Sequence, residues 1–277
     1  MRSRRIIKQD LSSLADFRGL IEVYEELAAM KVQAIRQAIV ASRLYFAGLA
    51  RLSDEIGADL QQLRQDKKGE AAVFVAANAN LFGPLIDQVF GEFLAYVNAH
   101  PTSQIYIAGS VGVTLMQAYA PKHQYQLLDI PDEEIDAAIL SKIVPVLLPF
   151  EQIKVFYGEF HNIVHQAVSQ RSFSGTDLSS ELPEFGSEQA SRLAYLYEPS
   201  IDTISQKLGT EIFASVFEQT LREAQLAKFA ARLMHLDGAL SKVDQLNHRL
   251  AHEQVRVERR IQDKKQRARL VGLWRSM

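Results

Sequence analysis

The stretch Leu226 to Ile261, LAKFAARLMHLDGALSKVDQLNHRLAHEQVRVERRI, decides the architecture. Within it Leu226, Phe229, Leu233, Leu236, Leu240, Val243, Asn247, Leu250, Gln254, Val257 and Ile261 recur at strict 3-4 spacing, and nine of the eleven are apolar. A repeat of 3.5 residues keeps one stripe facing a partner helix while both supercoil, so this is a coiled-coil seam. Asn247 and Gln254 read as polar residues that fix the register at some expense of stability. Contact with a second protein is the functional alternative for them.

A matching seam lies near the other end of the chain. Ile21, Tyr24, Ala28, Lys31, Ile35, Ala38, Ser42, Tyr45, Leu49, Leu52 and Ile56 repeat the spacing, again with nine of eleven apolar. All eight prolines fall between Pro84 and Pro199, which leaves both terminal segments free of the residue that breaks helices. A helix of about 60 residues at ~1.5 Å per residue reaches on the order of 90 Å, too long to hide such a stripe by itself. Periodicity leaves a bundle, a homodimeric coil and pairing of the two ends as alternatives.

Between the seams the pattern shifts to short apolar runs. Residues 71–77 read as a buried strand, and Pro84 opens an amphipathic helix with Leu85, Ile86, Val89, Phe90, Phe93, Leu94 and Val97 inward. Residues 104–109 read as a second strand, 132–147 as a helix, and 152–168 as extended chain. Residues 172–187, rich in Ser, Gly, Pro and acids, read as a surface loop, and 193–197 as a last strand. Alternating strands and helices imply an α/β layer domain. The expected division is 1–68 for the first long helix, 69–199 for the α/β domain and 200–277 for the last helix.

Composition narrows the function. At 277 residues, 47% hydrophobic and 23% charged, the chain can bury a core. No run approaches the ~18 consecutive apolar residues of a membrane span, and Met1-Arg-Ser-Arg-Arg leads into polar sequence, so a cytoplasmic location is expected. Without cysteine there is no disulfide framework or thiolate chemistry. The net charge of −2 argues against a nucleic-acid binder, although Arg256, Arg259, Arg260, Lys264, Lys265, Arg267, Arg269 and Arg275 make the C-terminal end basic. Aromatic interleaving for single strands is absent there apart from Trp274.

Catalytic motifs are sparse. No G-x-x-x-x-G-K-[ST] occurs, so the phosphate cradle of a P-loop is missing. Gly109 and Gly112 follow a strand but lack the third glycine and the ribose-binding acid of a dinucleotide site. His161 and His165 would hold a metal at i,i+4 on a helix; on a strand they would stand about 13 Å apart, at ~3.3 Å per residue, and are read as structural or exposed. No catalytic residue, cofactor or metal is expected. A coiled-coil adaptor with an α/β head and a small flavodoxin-like enzyme are the competing readings.

Several separated motifs resemble a known family. Ala28-Ala29-Met30-Lys31 and Ala41-Ser42-Arg43-Leu44-Tyr45 are similar to AA-x-K and A-x-R-x-Y of the gamma subunits of F-type ATP synthases. Glu198-Pro199-Ser200 and Ala230-Ala231-Arg232-Leu233-Met234-His235-Leu236-Asp237 resemble that family's EPS and AARM-x-AM, at the family's own spacing. Leu81, Gly83, Leu85, Gly109, Gly112, Tyr157 and Phe160 carry a thinner likeness in the middle. The chain departs from the family at Ala77-Asn78-Ala79-Asn80, where a Ser-Asp-Arg-Gly turn is usual, and at Glu258-Arg259 and Gln262-Asp263. Glu22, Glu25 and Glu26 stand where relatives tend to carry lysine, which points to an alternate form of the enzyme.

The resemblance implies a specific architecture: an antiparallel two-stranded coiled coil of the terminal helices with a Rossmann-like α/β domain between them. It implies a central rotor stalk that couples rotation of a membrane ring to conformational change in an alpha/beta catalytic head, ATP chemistry being left to the partners. The expected partners are alpha and beta subunits, an epsilon-like subunit and the c-ring, at the cytoplasmic face of the membrane. Lys31, Arg232, Arg259, Arg260, Lys264 and Arg267 are the expected contacts with the head, joined by Arg2, Arg4 and Arg5 where the ends lie alongside. Ile21, Ala28, Ile35, Leu49, Leu226, Phe229, Leu233, Leu236, Leu240, Val243, Leu250, Val257 and Ile261 are the expected core of the coil.

Overall fold

A computed structural model describes residues 4–56, 69–174, 198 and 200–275. In chain order the elements are α1 (Arg4–Ile56), β1 (Glu70–Val75), α2 (Leu85–Ala99), β2 (Gln104–Ala108), α3 (Ser110–Tyr119), β3 (Gln126–Leu128), α4 (Ala137–Leu147), β4 (Gln152–Phe160), β5 (Gln166–Phe173) and α5 (Ile201–Arg275). They separate into two compact units, one of Met1–Ala28 with Leu233–Met277 and one of Ala29–Arg232.

In the first unit the beginning of α1 and the end of α5 lie side by side. Leu14 and Ile21 pack with Leu236, Ala239, Leu240 and Val243. Arg4 pairs with Glu258 at 3.1 Å and Arg18 with Asp244 at 3.4 Å. The two pairs are 14 residues apart on each helix, 4 to 18 and 258 to 244, so the helices run antiparallel in one register. Burial recurs at multiples of seven residues, at Ile7, Ile21 and Ala28 and at Leu236, Val243 and Leu250, the signature of a seam that supercoiling holds on one side.

The second unit is a five-stranded sheet of order β3-β2-β1-β4-β5, parallel except for the antiparallel edge strand β5. The parallel strands are joined by crossovers carrying α2, α3 and α4. Alternate residues of β1 feed two cores. Ala71, Val73 and Val75 face Ile143, Leu147 and the α5 side chains Ile212, Phe213, Val216 and Phe217. Ala72 and Phe74 face Val89, Phe90 and Phe93 of α2 and Met116 of α3. A strand covered on both faces is apolar without alternation, as EAAVFV is. From Ile212 to Ala231, α5 is buried on almost every side, which explains why its apolar residues crowd beyond a single stripe there. Ser200 begins this helix, its Oγ accepting the Thr203 N–H at 3.3 Å.

Several expectations need correction. The first strand is Glu70–Val75 and the second ends at Ala108, because Gly109 turns the chain at φ +98°. The helix expected from residue 132 starts at Ala137: Asp132 is drawn into other bonds, and Asp136 caps, its Oδ1 accepting the Ile139 N–H at 2.8 Å. The extended stretch 152–168 is a hairpin, β4 turning at 161–165 into β5, where the Asn162 side chain accepts from the N–H groups of Val164 and His165. β5 takes in Ser172 and Phe173, the first two residues of the stretch expected as a surface loop. The rest of that loop, 175–187, and the expected strand 193–197 lie outside the described residues. Sequence reading did not assign α3 and β3.

In the first helix the seam's second row sits one residue later than expected. Tyr24, Tyr45 and Leu52 are exposed, whereas Val32 and Ser53 are buried, with Glu25, Ile39 and Phe46 half-buried. Steps of 4 then 3 have the same period as steps of 3 then 4, and α1 is apolar on both flanks of the first row, so the pattern alone offers both. Ile261 is 36% exposed instead of belonging to the core, three residues beyond Glu258, which pairs with Arg4 of α1.

Candidate functional site

In a doubly wound sheet the ligand crevice lies beyond the carboxyl ends of the strands. Here the chain fills that place with its own groups. Asn78, in the turn after β1, accepts the Ser110 N–H at the start of α3 on its Oδ1 (3.1 Å) and donates from Nδ2 to the Ile130 carbonyl (2.8 Å). The helix end that would cradle a phosphate is therefore capped from within. Gly109 and Gly112, which lack the rest of a dinucleotide pattern, have packing roles: a Cβ on Gly109 would stand 2.5 Å from the Ala77 carbonyl oxygen, and one on Gly112 would stand 2.7 Å from Ile107 Cγ2.

Behind this turn is a buried ion pair. Lys228 is 4% exposed; its Nζ donates to Asp132 Oδ1 at 2.7 Å and to the Ala76 carbonyl at 3.0 Å. Asp132 Oδ2 accepts the N–H groups of Asn78 (2.6 Å) and Ala79 (3.2 Å). Burial lowers the Lys228 pKa, and the Asp132 carboxylate acts in the opposite sense. On the other side of α5, the Tyr157 hydroxyl donates to Glu223 Oε2 at 3.4 Å. Burial, followed by the Glu223 charge, pushes Tyr157 up to about 12; burial and then Glu159 raise Glu223, opposed by Arg171. Sequence reading missed both groups, although a lysine inside the apolar run LAKFAA is the signal for the first.

The basic residues singled out from sequence divide. Lys31 Nζ reaches Glu133 at 3.3 Å. Arg232 turns onto its own chain, donating to the Asn80 carbonyl at 3.3 Å with its guanidinium 4.3 Å from the Phe82 ring centre. Arg259, Arg260, Lys264 and Arg267 are exposed on α5. Arg4 is engaged by Glu258, to which Gln254 also donates at 3.3 Å. His161 and His165, expected far apart on a strand, lie across the hairpin turn with ring centres 5.6 Å apart. Among the described residues no cluster of three metal-ligating side chains occurs.

The first unit carries a second apolar stripe. Phe17, Leu20, Tyr24 and Leu27 follow 3-4 spacing beside the seam and are 46–56% exposed, with Val23 widening the stripe. Single exposed apolar residues are ordinary, but a stripe along a helix marks a surface that a partner covers.

A family model described as ATP synthase matches residues 3–259. The chain belongs to the ATP synthase gamma-chain family. It is 21% identical over 272 residues to the ATP synthase gamma chain of Clostridium perfringens, covering 92% of each chain. It is 21% identical over 258 residues to that of Mesoplasma florum, covering 88% of each. Its fold is similar to a chain in the Euglena gracilis mitochondrial ATP synthase OSCP/F1/c-ring structure, with TM-score 0.63 and 12% identity over 99% of this chain and 94% of that one. It is also similar to a chain of the Tetrahymena thermophila central stalk and c-ring structure, with TM-score 0.57 and 15% identity over 79% of this chain and 99% of that one. The α/β fold with long terminal helices inferred from the seams and motifs is the fold these chains share.

Proposed function

We infer that this chain is the central-stalk subunit of an F-type ATP synthase, coupling rotation of a membrane ring to conformational change in an alpha/beta head. The observation that carries the reading is the antiparallel rod made from the two ends of the chain, with Arg4 on Glu258 and Arg18 on Asp244, in a member of the gamma-chain family. A rotor requires a rod that is stiff and uneven. Packed apolar layers resist deformation, and the stripe Phe17-Leu20-Tyr24-Leu27 makes one side of the rod unlike the others. A turning rod shifts the state of a catalytic subunit only through unequal affinity for its conformations, and an uneven surface supplies that difference.

ATP chemistry is assigned to the partners. The absence of a P-loop sequence and the capping of α3 by Asn78 support a chain without a catalytic site of its own. Alpha and beta subunits, an epsilon-like subunit and the c-ring are the partners this reading requires. Its place is peripheral, on the cytoplasmic face of the membrane; no described helix is long and apolar enough to cross one. Residues 1–68 and 200–277 serve as the shaft and 69–199 as the part nearest the ring, with Arg259, Arg260, Lys264 and Arg267 meeting the head.

Purification of the tagged chain from its own cells tests this. Recovery of nucleotide-binding alpha and beta chains in fixed stoichiometry, with ATPase activity, is the expected result. Recovery of the chain alone, or with a partner that binds no nucleotide, overturns the reading.

A further inference from the structure

The polar face of α5 in the second unit is built in a way that packing alone does not require. Gln225, Lys228 and Arg232 follow 3-4 spacing, with Arg222 one step before, and each donates to a loop at the carboxyl end of the sheet. Arg222 Nη2 reaches the Ile135 carbonyl at 3.1 Å, and Gln225 Nε2 the Asp132 carbonyl at 3.1 Å. Lys228 takes the Asp132 carboxylate and the Ala76 carbonyl, and Arg232 the Asn80 carbonyl. Eleven residues of helix, a rise of roughly 15 Å, are thus fastened at four levels. Asp132 is the hub: its three oxygens receive a lysine, an amide side chain and two backbone N–H groups.

Apolar contacts around α5, such as Ala227 and Ala231 against the β1 and α2 side chains, are non-directional and tolerate sliding. A buried ion pair contributes little net stability against an apolar replacement, and its best-attested use is to fix register. Hydrogen bonds depend on distance and angle, so the set at Asp132 admits one axial position and one rotation of α5.

We propose that Asp132 and Lys228, with Gln225, form a torsional lock that ties α5 to the sheet, so that torque applied to the α/β unit is delivered to the shaft without slip. This rests on the rotor reading and names positioning residues within it. The double variant Asp132→Asn with Lys228→Met removes both charges and leaves no lone buried charge, and the carboxamide oxygen that replaces the carboxylate still accepts a backbone N–H.

The test is made in the complete ATP synthase reconstituted into vesicles. The wild-type chain must assemble with head and ring and pump ions on ATP addition; if it does not, the rotor reading falls and the lock with it. In the double variant, ATP hydrolysis is expected within about twofold of wild type, ions pumped per ATP are expected to fall severalfold, and the angular variance of the paused shaft in single-molecule recordings is expected to at least double. Lys228→Arg, which keeps the charge, is expected to restore most of the pumping ratio. An assembled double variant with wild-type pumping ratio and angular variance overturns the lock while leaving the rotor reading intact. Where the double variant does not assemble, Gln225→Met replaces it: a raised angular variance supports the lock and an unchanged one overturns it.

Discussion

At Tyr157 and Glu223 two groups that favour their neutral forms meet between α5 and β4, with Glu159, Arg171 and Arg43 as the surrounding charges. Tyr157 holds its proton up to about pH 12, above its ordinary value near 10. A phenol that titrates later in the fold than in the unfolded chain contributes stability that is complete below pH 10 and lost as the pH rises through about 12. Tyr157→Phe is therefore expected to flatten the fall in urea midpoint between pH 10 and 12; equal slopes for variant and wild type would remove Tyr157 from that role. Glu223 titrates above its ordinary value, so the fold favours its protonated form and its ionisation at neutral pH is a strain on the fold. Glu223→Gln is expected to raise the melting temperature at pH 7, by an amount that shrinks as the pH falls below the ordinary carboxylate range. A gain of equal size at pH 4 and pH 7 would point to a cause other than charge. Neither group was legible in the sequence, since each owes its character to strands far away in the chain. Lys228 was half legible: its apolar neighbours imply burial, but Asp132 lies 96 residues earlier and nothing local joins them.

Elements were legible in proportion to their length and periodicity. The C-terminal seam emerges because Leu236, Val243 and Leu250 repeat without competition from a second stripe on α5. The N-terminal seam gave its first row and not its second, because the stripe of Phe17, Leu20, Tyr24 and Leu27 offers an equally apolar flank. Strand β3, three residues long, carries too few positions to show any period. Helix α3 was hidden by Gly112, which lowers helix propensity and is there because a larger residue would meet Ile107 and Ala76. Two predictions belong to this scale. Leu236→Asp places an unpaired charge in the seam and is expected to destabilise the rod by roughly 3 kcal/mol or more, seen as an early loss of helical circular dichroism on heating; an unchanged melt would take Leu236 out of the packed layer. Gly109→Ala at φ +98° is expected to cost roughly 1–3 kcal/mol in backbone strain alone, with a further loss from the Ala77 carbonyl in its way. A variant as stable as wild type would show that the turn relaxes freely.

For the whole molecule, the general role was legible from motifs at the two ends, because each motif is local to one long helix. Arg232, expected to meet a partner, is engaged with Asn80 and Phe82 in its own chain, and Lys31 with Glu133. Arg259, Arg260 and Lys264 remain exposed on α5. Neutralising the three together is expected to lower ATP-driven ion pumping at least severalfold with little change in the melting of the α/β unit; full pumping by an assembled variant would relieve them of that role. The near-complete enclosure of α5 between Ile212 and Ala231 has a consequence for the order of events during synthesis. The core that Val73, Val75, Ile153 and Val155 help to form is closed by Ile212, Phe213, Val216 and Phe217, which the ribosome makes only after the five described strands. Until then the nascent sheet has one greasy face open to solvent, and the first helix waits for a mate more than 200 residues downstream, as Ile21 does for Val243. Folding of both units is thereby deferred until α5 has been made, and a product truncated before it would expose apolar surface that favours aggregation.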